Sequence, residues 1–305
     1  MQRVRAQIGV EGITKEKLPG GSVTVAVLDT GVAAHPDLNG RVLAFHDFVK
    51  EGSRAYDDNG HGTHICGIIC GSGQVSQGVY RGIAPNSRLV VGKVLDESGG
   101  GMTQNMLWGL DWVLNSRKQY DIRILNLSIG IGDLKDRRKT RALRDMVERL
   151  WDAGIVVICA AGNKGPGDNT ISSVGGSGKV ITVGCHDGKF CPANSVPCAS
   201  YSGRGKRGSF IRKPDVVAPG TEIISCDSRF FFRDGSVRRG YTAKSGTSMA
   251  TPIVSGCAAL LLEKEPWLNN EQVKSRLQYS AVDLGEPLNM QGWGMINVKK
   301  LLGIS

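Results

Sequence analysis

The chain has 305 residues, with 38 Lys plus Arg against 28 Asp plus Glu for a formal net charge of +10, and 42 Gly, 11 Pro and 8 Cys among 40% hydrophobic residues. This composition excludes a disordered, collagen-like or coiled-coil chain, and the length suits one large α/β domain about as well as two small ones. No window approaches the roughly 20 apolar residues of a membrane span, and the basic run Arg137-Arg138-Lys139 sits among acids, so neither membrane nor nucleic acid is expected as a partner.

Residues 1–21 are polar and lack the apolar stretch of a secretory signal. They are taken as a lead-in segment, and a cytoplasmic location is expected unless the chain is a processed fragment. The first predicted strand is Val23–Leu28, an unbroken apolar run closed by Asp29. Strand ends of this kind face the site crevice in open α/β sheets, although an Asp there also serves as a cap or turn residue. A second strand, Arg41–Phe48, leads to Asp57-Asp58-Asn59-Gly60 and then His61, which opens a predicted helix over Gly62–Cys70. Its imidazole can move a proton near neutral pH; His64, one turn on, is expected to be structural.

Strand Leu89–Leu95 is followed by Gly99-Gly100-Gly101, whose backbone can approach a ligand closely or form a plain turn. Helix Thr103–Arg117 carries a broad apolar stripe expected in the core. Then come strand Ile122–Leu127, helix Arg138–Ala153 and strand Ile155–Ala160, which runs into Ala161-Gly162-Asn163. An amide at a strand end can donate to a developing negative charge. Strands Val180–Val183 and Glu222–Ser225 precede helix Ser248–Lys264 and helix Asn270–Ser280. Ser248 stands ahead of the apolar part of its helix, where backbone N–H groups can stabilise an oxyanion; an N-cap serine is the plain alternative. Alternating strands and helices without an internal repeat predict βαβ units, hence a mainly parallel sheet covered on both faces.

Asp29-Thr30-Gly31, His61-Gly62-Thr63-His64, Ala161-Gly162-Asn163 and Gly246-Thr247-Ser248-Met249-Ala250 together resemble the subtilisin-like serine protease family over nearly the whole chain. Lys213-Pro214-Asp215-Val216-Val217-Ala218-Pro219-Gly220 and Tyr80-Arg81-Gly82-Ile83-Ala84-Pro85 look most like its intracellular, calcium-poor members. The resemblance implies one three-layer α/β/α catalytic domain over residues 1–305 that hydrolyses peptide bonds through an acyl-enzyme. Ser248 would be the nucleophile, His61 the general base, Asp29 its orienting acid and Asn163 the oxyanion donor.

The resemblance further implies that polypeptide binds as an added strand between Gly99–Gly101 and Ser128-Ile129-Gly130. Ala161, Gly162 and Ser172 would line the first pocket. Lys164, beside Asn163, would stand at its rim and favour an acidic or polar residue before the scissile bond. A peptidase dedicated to one leader peptide and a catalytically silent peptide-binding protein are the alternatives; the oligomeric state is open. The match begins almost at Met1, so the chain is expected either to be a mature fragment or to fold without the long propeptide that secreted members use.

No cofactor is expected. Asp37 matches a family calcium ligand, but the segment Gly71–Tyr80 lacks the Asn-containing loop that would complete 6–8 oxygens. Cys66, Cys70, Cys159 and Cys257 lie in apolar segments and read as core thiols of a reducing compartment. Cys185, Cys191 and Cys198 are likewise expected to be free, with a Cys₃His zinc site using His186 or a Cys191–Cys198 disulfide as alternatives. Arg229 and Phe230-Phe231-Phe232 are read as part of a hairpin.

Overall fold

The computed structural model describes residues 1–13, 22–129, 136–230 and 240–304. Among the described residues nine strands run in chain order: β1 (Thr24–Asp29), β2 (Val42–Asp47), β3 (Arg88–Lys93), β4 (Ile122–Leu127), β5 (Val156–Ala160), β6 (Ile181–Cys185), β7 (Val216–Ala218), β8 (Ile223–Cys226) and β9 (Tyr241–Lys244). The α-helices among the same residues are α1 (Gln2–Gln7), α2 (His61–Cys70), α3 (Thr103–Ser116), α4 (Arg137–Asp152), α5 (Thr247–Lys264), α6 (Asn270–Tyr279), α7 (Leu288–Gln291) and α8 (Val298–Leu302).

The first seven strands form one sheet in the order β2-β3-β1-β4-β5-β6-β7, and every neighbouring pair is parallel. All six residues of β1 are buried, the pattern of a strand covered on both faces, which explains why it reads as a continuous apolar run. Helix α5 packs on β4, β5, β6 and β7 beside α2, while α3 and α4 pack together and meet β1 and β5. The mainly parallel sheet with its flanking helices is the α/β arrangement expected from the motifs.

Several elements depart from expectation. The lead-in segment contains α1, and Val4, Ile8 and Val10 lie in the hydrophobic core; the Val298 N–H donates to the Ile8 carbonyl at 2.7 Å. Strands β7 and β9, of three and four residues, are too short for a periodic signal. Strands β8 and β9 pair as an antiparallel ribbon. Phe230 is buried at its far end, in keeping with the hairpin reading; Phe231 and Phe232 lie outside the described residues. No helix among the described residues is long and apolar enough to cross a membrane.

Cys185 and Cys198 form a disulfide, with Cα atoms 5.6 Å apart. This corrects the expectation of free thiols and the alternative Cys191–Cys198 pairing. Cys185 ends β6, and the Cys198 N–H donates to Thr221 Oγ1 at 3.1 Å, so the return of the chain brings these two sulfurs together. Cys191 stays half-buried between them. A Cys₃His zinc set is thereby dismantled, and these cysteines no longer support a reducing compartment. Cys66, Cys70, Cys159 and Cys257 are buried and free as expected.

Candidate active site

The strand order sets β1, β4 and β5 side by side, and all three run the same way. Their carboxyl ends therefore carry Asp29, Ser128 and Ala161–Asn163 along one edge, where crevices form in open α/β sheets. Asp29 is fully buried. One of its carboxylate oxygens accepts from the Thr30 N–H at 2.7 Å and meets His61 Nδ1 at 2.7 Å.

A buried acid holds the Asp29 and His61 segments in register. Asp57 Oδ1 accepts from Thr30 Oγ1 at 2.9 Å and from the Gly60 N–H at 2.7 Å, and its Oδ2 accepts from the Thr63 N–H at 2.8 Å and Thr63 Oγ1 at 2.6 Å. Burial alone would raise the Asp57 carboxyl, but these bonds hold it below the usual carboxylate range. Lys93 adds a second clip. Wholly buried at the end of β3, its ammonium donates to the Thr30 and Leu95 carbonyls at 2.8 Å each and to Asp58 at 2.6 Å.

His61 is the first residue of α2, and its side chain is 23% exposed. Burial works to lower its pKa, yet the Asp29 charge and hydrogen bond outweigh it; Lys244 opposes them, and the net shift is upward. His64 has the opposite character. It is fully buried, its Nε2 meets the Ile223 and Thr242 carbonyls at 2.9 and 3.2 Å, and burial pushes its pKa down to about 3, the structural role expected of it. Ile223 pairs across the ribbon with Lys244, and Lys244 precedes Ser245-Gly246-Thr247-Ser248. The ribbon thus carries the connection from α2 to the start of α5.

Ser248 is the second residue of α5 and half-buried. Pro252 lies four residues on and has no N–H, so the helical bond to the Ser248 carbonyl is not made. Gly246 has φ of +143°, and a Cβ there would lie 3.5 Å from Asn163 Nδ2 and 3.8 Å from the Ser248 nitrogen. Glycine at this position leaves open the space that both nitrogens border. The Asn163 amide oxygen accepts from the Thr247 N–H at 3.1 Å and the Thr247 hydroxyl at 3.0 Å, which fixes the amide and leaves its NH₂ as the donating end.

Ser172 is buried; its N–H and Oγ donate to the Ala161 and Ala160 carbonyls, both at 2.8 Å. Gly162 has φ of +92° and accepts from the Gly203 N–H at 2.7 Å. These residues make one continuous wall beside Asn163, with Lys164 exposed next to it. Ser128 Oγ accepts from Asn126 Nδ2 at 2.9 Å, Ile129 packs on the core, and Gly130 lies outside the described residues. Gly99–Gly101 form an exposed turn around Asp96. Within this turn both backbone groups of Gly100 and the Gly99 N–H are engaged with Asp96.

His35, Asp37 and Cys226 could group around a metal, with ligand atoms within 4.8 Å of one another. The set does not fit one. His35 Nδ1 accepts from the Asp37 N–H at 3.1 Å and its Nε2 meets the Gly240 carbonyl at 2.7 Å, so neither nitrogen offers a lone pair. The Asp37 oxygens accept from the Val75 N–H at 3.0 Å and the Tyr241 hydroxyl at 2.7 Å. Asp57, Lys93 and Thr247 were given no role by the sequence. A lysine inside an apolar strand is the one signal that could have flagged any of them.

Comparison with known proteins identifies a family. A family model described as the Subtilase family matches residues 20–294. Serine protease AprX of Bacillus subtilis (strain 168) is 41% identical over 295 residues, covering 93% of this chain and 67% of that protein. Subtilisin DY of Bacillus licheniformis is 34% identical over 295 residues, with 96% and 95% covered. Among solved structures, Sphericase superposes with a TM-score of 0.82 at 29% identity, covering 98% of this chain and 99% of that one. The S41 Psychrophilic Protease gives 0.78 at 28% identity, with 97% of each covered.

Proposed function

The chain belongs to the subtilase family and is a subtilisin-like serine endopeptidase, and from that premise we propose that Asp29, His61 and Ser248 are its catalytic triad, with Asn163 and the Ser248 N–H as oxyanion donors. The observation that carries the assignment is the 2.7 Å contact between His61 Nδ1 and buried Asp29. It holds the imidazole in the tautomer whose Nε2 is a free base.

In the general serine-protease scheme, Ser248 Oγ adds to the scissile carbonyl carbon as its proton passes to His61 Nε2. The carbonyl oxygen becomes an oxyanion in the space bordered by Asn163 Nδ2 and the Ser248 nitrogen, and the α5 N-terminus adds favourable field. The His61 proton then goes to the leaving amine as the C–N bond breaks. Water repeats the sequence on the ester: His61 takes its proton, and Ser248 recovers it when the carboxylic acid leaves. Asp29 stays ionised and stabilises the imidazolium.

The extended substrate lies between Gly99–Gly101 and Ser128-Ile129, with Ala161, Gly162 and Ser172 along the first pocket. The exposed ammonium of Lys164 favours an acidic or polar side chain before the cut. No step calls for a metal or organic cofactor.

A serine-directed fluorophosphonate tests the assignment. It labels the wild type and not Ser248→Ala, while Asn163→Ala keeps labelling detectable but loses on the order of 10²–10³ in turnover, the loss known for the corresponding amide in this family. In the same assay, Lys164→Glu lowers the ratio of Glu to Phe cleavage before the scissile bond. Labelling that persists in Ser248→Ala would overturn the nucleophile.

A further inference from the structure

We infer that the cavity walled by residues 206–213 and 287–289 is a binding site for an acidic stretch of the polypeptide substrate, outside the catalytic cleft. The inference rests on the endopeptidase reading and adds a second point of contact to it. Lys206-Arg207-Gly208-Ser209-Phe210-Ile211-Arg212-Lys213 carries four cations and no acid in eight residues. The cavity encloses about 390 Å³, and all four cations line it with no acidic side chain among the lining residues. Like charges converging on one concavity focus a positive potential there.

The four cations are not equally committed. Lys213 is buried and bound to Asp215 at 2.7 Å and to the Val180 carbonyl at 2.8 Å. Arg207 meets Asp168 at 2.9 Å, but both side chains are largely in water, so the pair is readily exchanged. The Arg212 guanidinium stacks over the Trp293 ring at 4.6 Å; stacking uses its face and leaves the N–H edge to meet a carboxylate. Lys206 makes no ion pair among the described residues. Beside these charges Phe210 is wholly exposed and Leu288 is 53% exposed, apolar surface that would cover the stem of a bound chain.

The position of the cavity favours a polypeptide occupant. Its polypeptide leads directly from the wall of the first pocket: the Gly203 N–H donates to Gly162 at 2.7 Å, the Thr170 N–H to Arg204 at 2.8 Å, and the Asn169 N–H to Gly205 at 3.1 Å. The Gly205 N–H continues to the Asn289 carbonyl at 2.9 Å, joining the two sides of the cavity. A substrate held there has its remaining length tethered near the site, which raises the local concentration of cleavable bonds without a new catalytic contact.

The test uses two substrates with one cleavable core, one extended through a Gly/Ser linker by six Glu residues and the other by six Gln. At low salt the Glu substrate is expected to show a KM about tenfold lower with unchanged kcat, as summed exposed charge pairs allow. The advantage fades at high salt and is lost in Lys206→Glu/Arg212→Glu, while the bare core is cleaved as before. Lys206→Gln, which leaves the Trp293 stack intact, shows a partial loss. Equal KM values for the two substrates, or an advantage that survives charge reversal, would overturn the inference. So would a single-stranded oligonucleotide that displaces the Glu peptide at lower concentration than the peptide itself binds, since the cavity would then be a nucleic-acid site. A wild type that cleaves neither core would sink the endopeptidase reading itself.

Discussion

His61 shows how three neighbours set one proton. Burial lowers its pKa, Asp29 raises it by more, and Lys244 pulls part of the way back. A general base must be neutral to act, so the acid limb of kcat/KM is expected above the ordinary histidine value of about 6.5. Lys244→Gln removes the opposing cation and moves that limb to higher pH; Asp29→Asn moves it lower. A pH–rate profile on a short peptide checks both, and a limb that falls or stays in Lys244→Gln contradicts the arrangement. The same shift means that the ionised His61–Asp29 pair stabilises the fold fully below about pH 6.5 and ceases to as the pH rises through the higher folded value. Asp29, His61, Asn163 and Ser248 stood out as candidates in the sequence because each sits in a short run of small residues, and the Asp29–His61 contact is the part of that set the structure shows directly. Asp57 could not, since its bonds join the end of β1 to the start of α2, and Lys93 offered only its place in an apolar strand, because its bond to Thr30 depends on β1 and β3 being neighbours.

At the scale of elements, His64 joins α2 to the ribbon through two carbonyls that accept from one ring nitrogen. Its other nitrogen is buried without a hydrogen-bond partner among the described residues, so a second proton would place charge where nothing answers it. With a folded pKa of about 3 and an unfolded one of about 6.5, the unfolded chain binds the proton first. Stability from this residue is therefore complete above about 6.5 and lost as the pH falls towards 3, about 2 kcal/mol of it by pH 5. Melting curves at pH 7 and 5 are expected to converge in His64→Gln relative to the wild type; an equal drop in both would remove His64 as the cause. The sequence showed α2 and β8 separately, but β9 is four residues long and had no pattern of its own. The Cys185–Cys198 pairing was hidden for a related reason: the sequence left Cys185, Cys191 and Cys198 as expected free thiols, whereas the fold of the segment over Thr221 brings Cys198 to Cys185.

Over the whole molecule, the carboxylate at which the motifs suggested a cation already receives protein donors. Asp37 receives the Val75 N–H and the Tyr241 hydroxyl, and these bonds tie the turn at Pro36–Leu38, the Gln74–Ser76 segment and β9 together from within. The βαβ alternation made the parallel sheet legible in advance. The order β2-β3-β1-β4 was not, because it arises from strands crossing over one another and not from any local pattern. A fold tied in this way should not depend on a divalent ion. Excess EDTA is expected to change Tm by less than about 2 °C, whereas Tyr241→Phe, which removes one hydrogen bond to a buried carboxylate, lowers stability by about 1–3 kcal/mol with or without chelator. A large fall in Tm on chelation that added calcium reverses would place a structural cation in this chain and make the Asp37–Tyr241 bond secondary to it.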